Sequence, residues 1–269
     1  MKIAVCLKQV PTREWQPRLL DDRRWIREQD VSYEMNEPDA YALEEGLRLR
    51  EKHGGEVVVC SAGPTRVQQM LREALARGAD RALHVEDDSL ASTDAFVSAG
   101  ALAAAMSDER FDLVLTGLQS DDQGHGQTGV VLAERLGIPH STIVIEIQVQ
   151  AGTDGSAGAG PGGAGPVAAI RVKRELEGGW FQWVAMPLPA LVTIQSGINQ
   201  LRYATLRGIM AAKKKEIRKI SRPPGLEASQ QILSLALPTR TKHTEMLSGS
   251  PPEVARELVR RLREEAKAL

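Results

Sequence analysis

The 269-residue sequence predicts an α/β fold, a doubly wound and mostly parallel sheet with a C-terminal arm. Three observations carry this reading. The first 150 residues alternate short β-branched runs with helical runs, the pattern of a parallel sheet covered on both faces. Beyond residue 140 the helices give way to strands separated by turn signals. The last 70 residues hold no sustained period until one amphipathic stretch at the end.

Taken in order, residues 2–7 read as a buried strand. Residues 38–52 read as a helix, with Ala42, Leu43, Gly46 and Leu49 at helical spacing, Asn36 just before it and Gly54 and Gly55 at its end. Residues 56–60 form the next strand. Residues 65–77 form a helix with Val67, Met70, Leu71, Ala74 and Leu75 on one side, closed by Gly78. A strand at 81–85, an alanine-rich helix at 93–106 and a strand at 111–116 (FDLVLT) follow. A helix at 127–136 is closed by Gly137 and Pro139. Residues 141–150 alternate as a strand does. Residues 151–165 (AGTDGSAGAGPGGAG) are low-complexity and are expected to form a mobile surface loop. Glu177, Gly178 and Gly179 join strands at 167–176 and 180–186 as a hairpin. Residues 190–194 are a last apolar strand. The expected division is a nucleotide-binding domain over 1–200, a basic segment over 201–220, and an extension over 221–269 that packs on its own domain or on a partner. Its final helix, 251–269, carries an apolar stripe of Ala255, Leu258, Val259, Leu262 and Ala266.

Composition narrows the function classes. Hydrophobic residues are 42% and charged residues 26%, ordinary for a globular protein, and the net charge of −1 places any basic site locally. The two cysteines, Cys6 and Cys60, lie in apolar strands and read as buried thiols. No disulfide framework and no CxxC or His/Cys metal cluster is written in the sequence. The apolar run of MKIAVCLKQV is broken at Lys8 and is too short for a signal peptide or a span. A bacterial, cytoplasmic protein without membrane insertion is expected. Aromatics are 4% and no stacking motif accompanies the basic residues, so nucleic acid is not an expected partner.

The most informative segment is TGLQSDDQGHGQTG, residues 116–129, which leaves a strand and enters a helix. Its glycines allow close backbone approach, and a helix start offers unpaired N–H groups and a partial positive charge. Together they can hold a phosphate without a lysine, with Thr128 as an extra donor. It is neither a Walker loop nor a GxGxxG turn, and an ordinary βα turn has the same composition. Asn36, Glu37, Pro38 and Asp39 open another helix, where taken alone they read as a simple cap. Ala62, Gly63 and Pro64 follow a third strand. In a doubly wound sheet all three turns can converge on one crevice. His125 has no nucleophile placed with it and reads as a polar loop residue near a ligand, not as a base. Lys213, Lys214 and Lys215 adjoin Leu206, Ile209 and Met210, an apolar anchor with a charged rim that suits a transient protein interface.

Several segments together resemble the electron transfer flavoprotein beta subunits along nearly the whole chain. They are AVCLKQVP, MNEPDAYALEEGLRLRE, VVVCSAGP, ARGADRALHVED, DLVLTGLQSDD with GQTG, VKRELEGG, PLPALVTI and, above all, LRYATLRGIMAAKKKEI. The resemblance implies a Rossmann-like fold of the adenine-nucleotide alpha-hydrolase-like kind. It implies an alpha-subunit partner that carries the redox-active FAD, with structural AMP in this chain and no catalytic activity of its own. The AMP contacts map onto Cys6, Asn36, Glu37, Pro38, Asp39 and Ala62. They continue through Ser120, Asp121, Asp122, Gln123, Gly124, His125, Gly126, Gln127, Thr128, Gly129, Val130 and Val131. The partner-recognition segment maps onto Tyr203, Leu206, Ile209, Met210, Lys213 and Lys214. In it Leu206 anchors acyl-CoA dehydrogenases or other flavin dehydrogenases. This chain departs from many members at Arg207 and Ala211. Arg13 and Asp39 replace aromatic residues that lie near the flavin in some members.

Other readings stay open at this level. A bifurcating branch of the family holds a second FAD in place of AMP, with a loop of the form DGDTAQVG; DDQGHGQTG is closer to the AMP branch. A stand-alone adenine-nucleotide sensor would lack the alpha partner. A nucleotide hydrolase on a related fold would need an SGGxDS loop, which the sequence does not contain.

Overall fold

A computed structural model describes residues 1–151, 167–238 and 244–268. The chain divides into two units, Met1–Ser234 and Leu235–Leu269.

The first unit is built on nine strands in the order β11-β5-β4-β1-β6-β10-β7-β8-β9. They are β1 (Lys2–Cys6), β4 (Glu56–Gly63), β5 (Arg81–Glu86), β6 (Leu113–Gly117), β7 (His140–Ala151), β8 (Val167–Glu175), β9 (Phe181–Pro187), β10 (Ala190–Ile194) and β11 (Ile217–Ser221). All neighbours from β11 to β7 run parallel, and β7, β8 and β9 are antiparallel. A small antiparallel pair, β2 (Gln9–Pro11) with β3 (Tyr33–Met35), stands apart. From β1 the chain winds outward through β4 and β5, then returns to β6 on the other side of β1. The switch point of the sheet is therefore the gap between the ends of β1 and β6, where open α/β sheets bind ligands.

Helices α1 (Glu37–His53), α2 (Val67–Arg77), α3 (Ala95–Met106) and α4 (Thr128–Leu136) follow the parallel strands. α1 opens with Glu37, Pro38 and Asp39, ends with Arg50, Lys52 and His53, and stops at Gly54, whose φ is +73°. Acid first and base last matches the helix dipole. Gly46 sits in this helix for a packing reason: a Cβ there would lie 2.9 Å from Val5 Cγ2. Its absence lets α1 rest directly on β1. One face of the sheet buries Ile3, Val5, Val57, Val59, Leu113 and Leu115 beneath α1 and α2. The other buries Ala4, Val58, Leu83, Val114 and Leu191 with residues of α3 and α4.

The elements expected from periodicity are present, with differences at their ends and four additions, β2, β3, α5 (Leu206–Ala212) and β11. β4 runs on to Gly63, so Ala62 is the end of a strand, not part of a turn. α2 begins at Val67 and α3 at Ala95, each two residues later than expected. The segment 201–220 is structured as the short helix α5 and the edge strand β11. The low-complexity stretch lies, from residue 152 to 165, outside the described residues.

In the second unit α6 (Pro251–Glu264) begins with a capping box of Ser250 and Glu253 and ends five residues short of the expected helix. Arg260 pairs with Glu257 and Glu264, and Arg261 with Glu257 and Glu245. None of its residues is buried, and Leu258 and Val259 are exposed. Among the described residues no helix is long and apolar enough to cross a membrane.

Candidate functional site

A cavity of about 830 Å³ opens at the switch point. Its floor is the carboxyl ends of three neighbouring strands: Cys6, Leu7 and Lys8 after β1, Ala62 in β4, and Thr116, Gly117 and Leu118 at the end of β6. Its walls come from the loop 119–129 and from residues 89–98. Of the residues singled out in the sequence, Cys6, Asn36, Asp39, Ala62, Ser120, Gln123, His125, Gly126, Gln127, Thr128 and Gly129 line it together. Glu37, Pro38, Asp121, Asp122, Gly124, Val130 and Val131 lie outside the lining.

The rim is held by side chains that bond the main chain. Asn36 occupies the cap position of α1 but makes no capping bond. Its amide Nδ2 donates to the Gln119 carbonyl at 2.9 Å, and its Oδ1 accepts from the Asp121 N–H at 2.9 Å. The loop after β6 is thus pinned to the start of α1, and the simple-cap reading of Asn36 is corrected. Asp39 points inward and ties two strand ends together. Its Oδ2 accepts from the Lys8 N–H at 2.7 Å and its Oδ1 from the Gly117 N–H at 2.9 Å. Burial pushes the Asp39 carboxyl up to about 7, against the pull of those N–H donors, Asn36 and the Lys8 charge. The Lys8 ammonium donates to Asp122 Oδ1 at 2.7 Å, Ser120 Oγ at 3.1 Å and Gln123 Oε1 at 3.1 Å. Asp122 therefore serves to fix Lys8. Asp121 lies near the N–H of Glu37 and the guanidinium of Arg13, and Arg13 pairs with Glu37. Burial, with Cys60 and Asp39 nearby, pushes the Cys6 thiol well up, so it meets the cavity as a neutral group.

Two helix starts face this cavity, and they differ. α3 is capped: Asp94 Oδ1 accepts from the Val97 N–H at 2.9 Å. α4 has no side-chain cap at Gln127. Its first N–H groups have no intrahelical acceptor and carry the positive end of the helix dipole. Gly126, with φ +63°, turns the chain into this start, and Gly129 packs α4 close to the sheet, since a Cβ there would lie 2.7 Å from Thr116 Oγ1. An anion is favoured at α4, and a carboxylate already occupies α3.

The sequence reading missed part of the lining. Arg24 and Trp25 come from the excursion between β2 and β3. The Trp25 N–H donates to Glu28 at 2.9 Å, and Glu28 pairs with Arg66, whose guanidinium stacks 4.1 Å from the Tyr33 ring. Residues 228–232 also line the cavity, so this part of the extension folds back on its own unit. The Asp directly before the alanine-rich run was a readable signal for Asp94 as the cap of α3, and nothing in the sequence pointed to the return of 228–232.

The segment 202–215 is a separate feature. Arg202 is held by Glu44 at 2.9 Å and by Glu51. Thr205 caps α5 by accepting from the Gly208 N–H at 3.0 Å. Gly208 lies against α2, where a Cβ would come 2.2 Å from the Ala76 carbonyl. Arg72 donates to the carbonyls of Ala212 and Lys215 at 2.6 and 2.5 Å, and Lys215 donates to those of Leu75 and Ala79 at 3.1 and 2.5 Å. On this rigid seat Tyr203 is 90% exposed and Leu206 78%, with Ile209, Met210, Lys213 and Lys214 also facing solvent.

Comparison with known proteins gives a consistent result. The electron transfer flavoprotein domain matches residues 24–224. The electron transfer flavoprotein subunit beta of Methylophilus methylotrophus is 35% identical, over 98% of both chains. That of Bacillus subtilis is 33% identical over the full length of both. The mitochondrial electron transfer flavoprotein subunit beta of Oryza sativa is 34% identical, again over the full length of both.

Proposed function

The chain belongs to the electron transfer flavoprotein family as a beta subunit, a component of electron transfer, and on that premise we infer that it holds AMP and docks dehydrogenases while a companion alpha subunit carries FAD. The observation that carries the nucleotide reading is the uncapped start of α4 opening into a cavity at the sheet's switch point. The main-chain N–H groups at Gln127, Thr128 and Gly129 would take the phosphate, with the Thr128 hydroxyl beside them. Asp94 makes the neighbouring helix start unsuitable for the same charge. The neutral walls at Cys6 and Ala62 would take the adenosine. Asn36 and Asp39 would act as scaffold, since their polar atoms are already bonded to the main chain.

The flavin of the alpha subunit supplies the redox chemistry when bound. This chain contributes binding and docking. Exposed Leu206 with Tyr203, Ile209 and Met210, beside Lys213 and Lys214, has the make-up of a transient interface in which an apolar anchor is rimmed by charge. Acyl-CoA dehydrogenase-type or other flavin dehydrogenases are the proposed occupants.

The test is mass spectrometry of the nucleotides released from the native complex. Stoichiometric AMP from this chain, with FAD accompanying a co-purified flavoprotein subunit, is the expected result. FAD in place of AMP would assign the site to the bifurcating branch. Absence of any bound nucleotide would overturn the reading.

A further inference from the structure

Residues 222–232 leave the edge strand β11, and the stretch from Ala228 to Ile232 returns to form part of the cavity wall with its residues largely exposed. Arg222 donates to Ser89 Oγ at 3.0 Å and to the Leu226 carbonyl at 2.5 Å. Leu226 packs against the cluster of Val85, Leu90, Val97, Ala101 and Ala105, close enough to α3 that a Cβ on Gly100 would lie 2.7 Å from its Cδ2. Beyond Leu226 the chain is mostly exposed and lines the cavity from Ala228 to Ile232. Among the described residues its polar fastening there is one carboxylate. Asp94 Oδ2 accepts from the Ser229 N–H at 2.6 Å and the Gln230 N–H at 3.0 Å, while Oδ1 caps α3.

We propose that residues 227–232 form a gate over the nucleotide cavity, latched shut by the Asp94 carboxylate. A segment with few buried contacts opens locally at low cost, far below the cost of global unfolding. The bonds that keep it closed are charge-assisted, the strong class of hydrogen bond. Burial works against the charge on Asp94, but the N–H groups of Val97, Ser229, Gln230 and Phe96 outweigh it and hold the carboxyl below the usual range, so the latch is charged at neutral pH. Asp94 acts as a positioning residue: it sets how long a nucleotide stays, not how it is recognised. The inference rests on the nucleotide reading of the cavity.

The test uses the full-length chain in the complex in which it purifies, with two variants. Ser229→Pro deletes one N–H donor and leaves the α3 cap intact. Asp94→Asn keeps a carbonyl oxygen for the cap and removes the charge. Release of radiolabelled AMP is followed after dilution into unlabelled AMP. Alkylation of Cys6 by iodoacetamide, mapped by peptide mass spectrometry, is followed in nucleotide-free protein, because Cys6 lines the cavity and Cys60 does not. Both rates are expected to rise about tenfold or more in each variant, the factor that loss of one hydrogen bond to a charged group implies. A purely structural cap at Asp94 would lower the melting temperature and leave both rates of Ser229→Pro at the wild-type value, and that result overturns the gate. A wild-type complex that binds no AMP overturns the nucleotide reading alone; the gate then stands or falls on Cys6 alkylation.

Discussion

The two rims of the parallel sheet have opposite chemistry. At the amino ends of the strands, charges neutralise one another. Glu109 takes Lys2 at 2.8 Å, Arg81 at 2.6 Å and Arg218 at 3.3 Å, and Arg81 also takes Glu56 at 2.7 Å. At the carboxyl ends, Asn36 and Asp39 bond main-chain groups, and a cavity is left between them. The first rim closes the sheet and the second keeps it open. The same strand order serves both, because the helices that follow parallel strands all start at the carboxyl end, and their unpaired first N–H groups gather there only.

The contrast can be broken most severely at the open rim. Gly117→Ala would place a Cβ 2.4 Å from Asp39 Oδ1 and 2.6 Å from Pro38 Cβ. Loss of about 3 kcal/mol or more in urea unfolding is expected, the upper range for overpacking. A loss below about 1 kcal/mol would show that the approach of α1 to β6 is loose.

The rims should also respond to pH with opposite sign. Asp39 is raised to about 7 in the fold and is about 3.9 unfolded. Its contribution is therefore full below the unfolded value and is lost as pH rises through about 7. Stability of the nucleotide-free protein relative to Asp39→Asn should fall, on the order of 3 kcal/mol, between pH 4 and pH 8. Glu109 is pulled down to about 2 by Arg81, then Lys2, against its burial. Its contribution is full above the unfolded value of about 4.3 and is lost as pH falls through about 2. Glu109→Gln should cost about 1.5–3 kcal/mol at pH 7, and the gap should close on acidification. Parallel unfolding curves of wild type and variant across pH would refute either assignment.

The smallest expected effect on the fold lies away from both rims. Leu206→Ala should change stability by less than about 0.5 kcal/mol, as for an exposed side chain. Under the proposed function it should still lower the rate of electron uptake from a dehydrogenase partner, read as quenching or bleaching of the flavin.

How far the sequence disclosed this molecule follows from the range of each interaction. Alternating apolar runs and their glycine stops are local, so β1, α1, β4, α2, β5, α3, β6 and α4 were legible in order. The loop 116–129 was legible as well, because its glycines and helix start are contiguous. β11 was not: Ile217 and Ile220 are three apart with Arg218 and Lys219 between, a charged edge pattern rather than a period of two. β2 and β3 are three residues each, too short to show a period. Asp39 reads locally as an acid suiting a helix start. Its bond to Gly117 spans 78 positions, and only the strand order brings the two together. Asp94 is legible as a cap, whereas its second bond, to Ser229, spans 135 positions.

One consequence of the seating of α5 concerns variation. Among the described residues, the side-chain bonds that join the segment of α5 to α2 and its end fall on main-chain carbonyls: Ala212, Lys215, Leu75 and Ala79. The side chains of Tyr203, Leu206, Ile209 and Met210 take no part in them. Under the proposed function, substitution can therefore rewrite which surfaces this plate attracts while the anchorage beneath registers no change, leaving partner choice and structural integrity free to evolve on separate schedules.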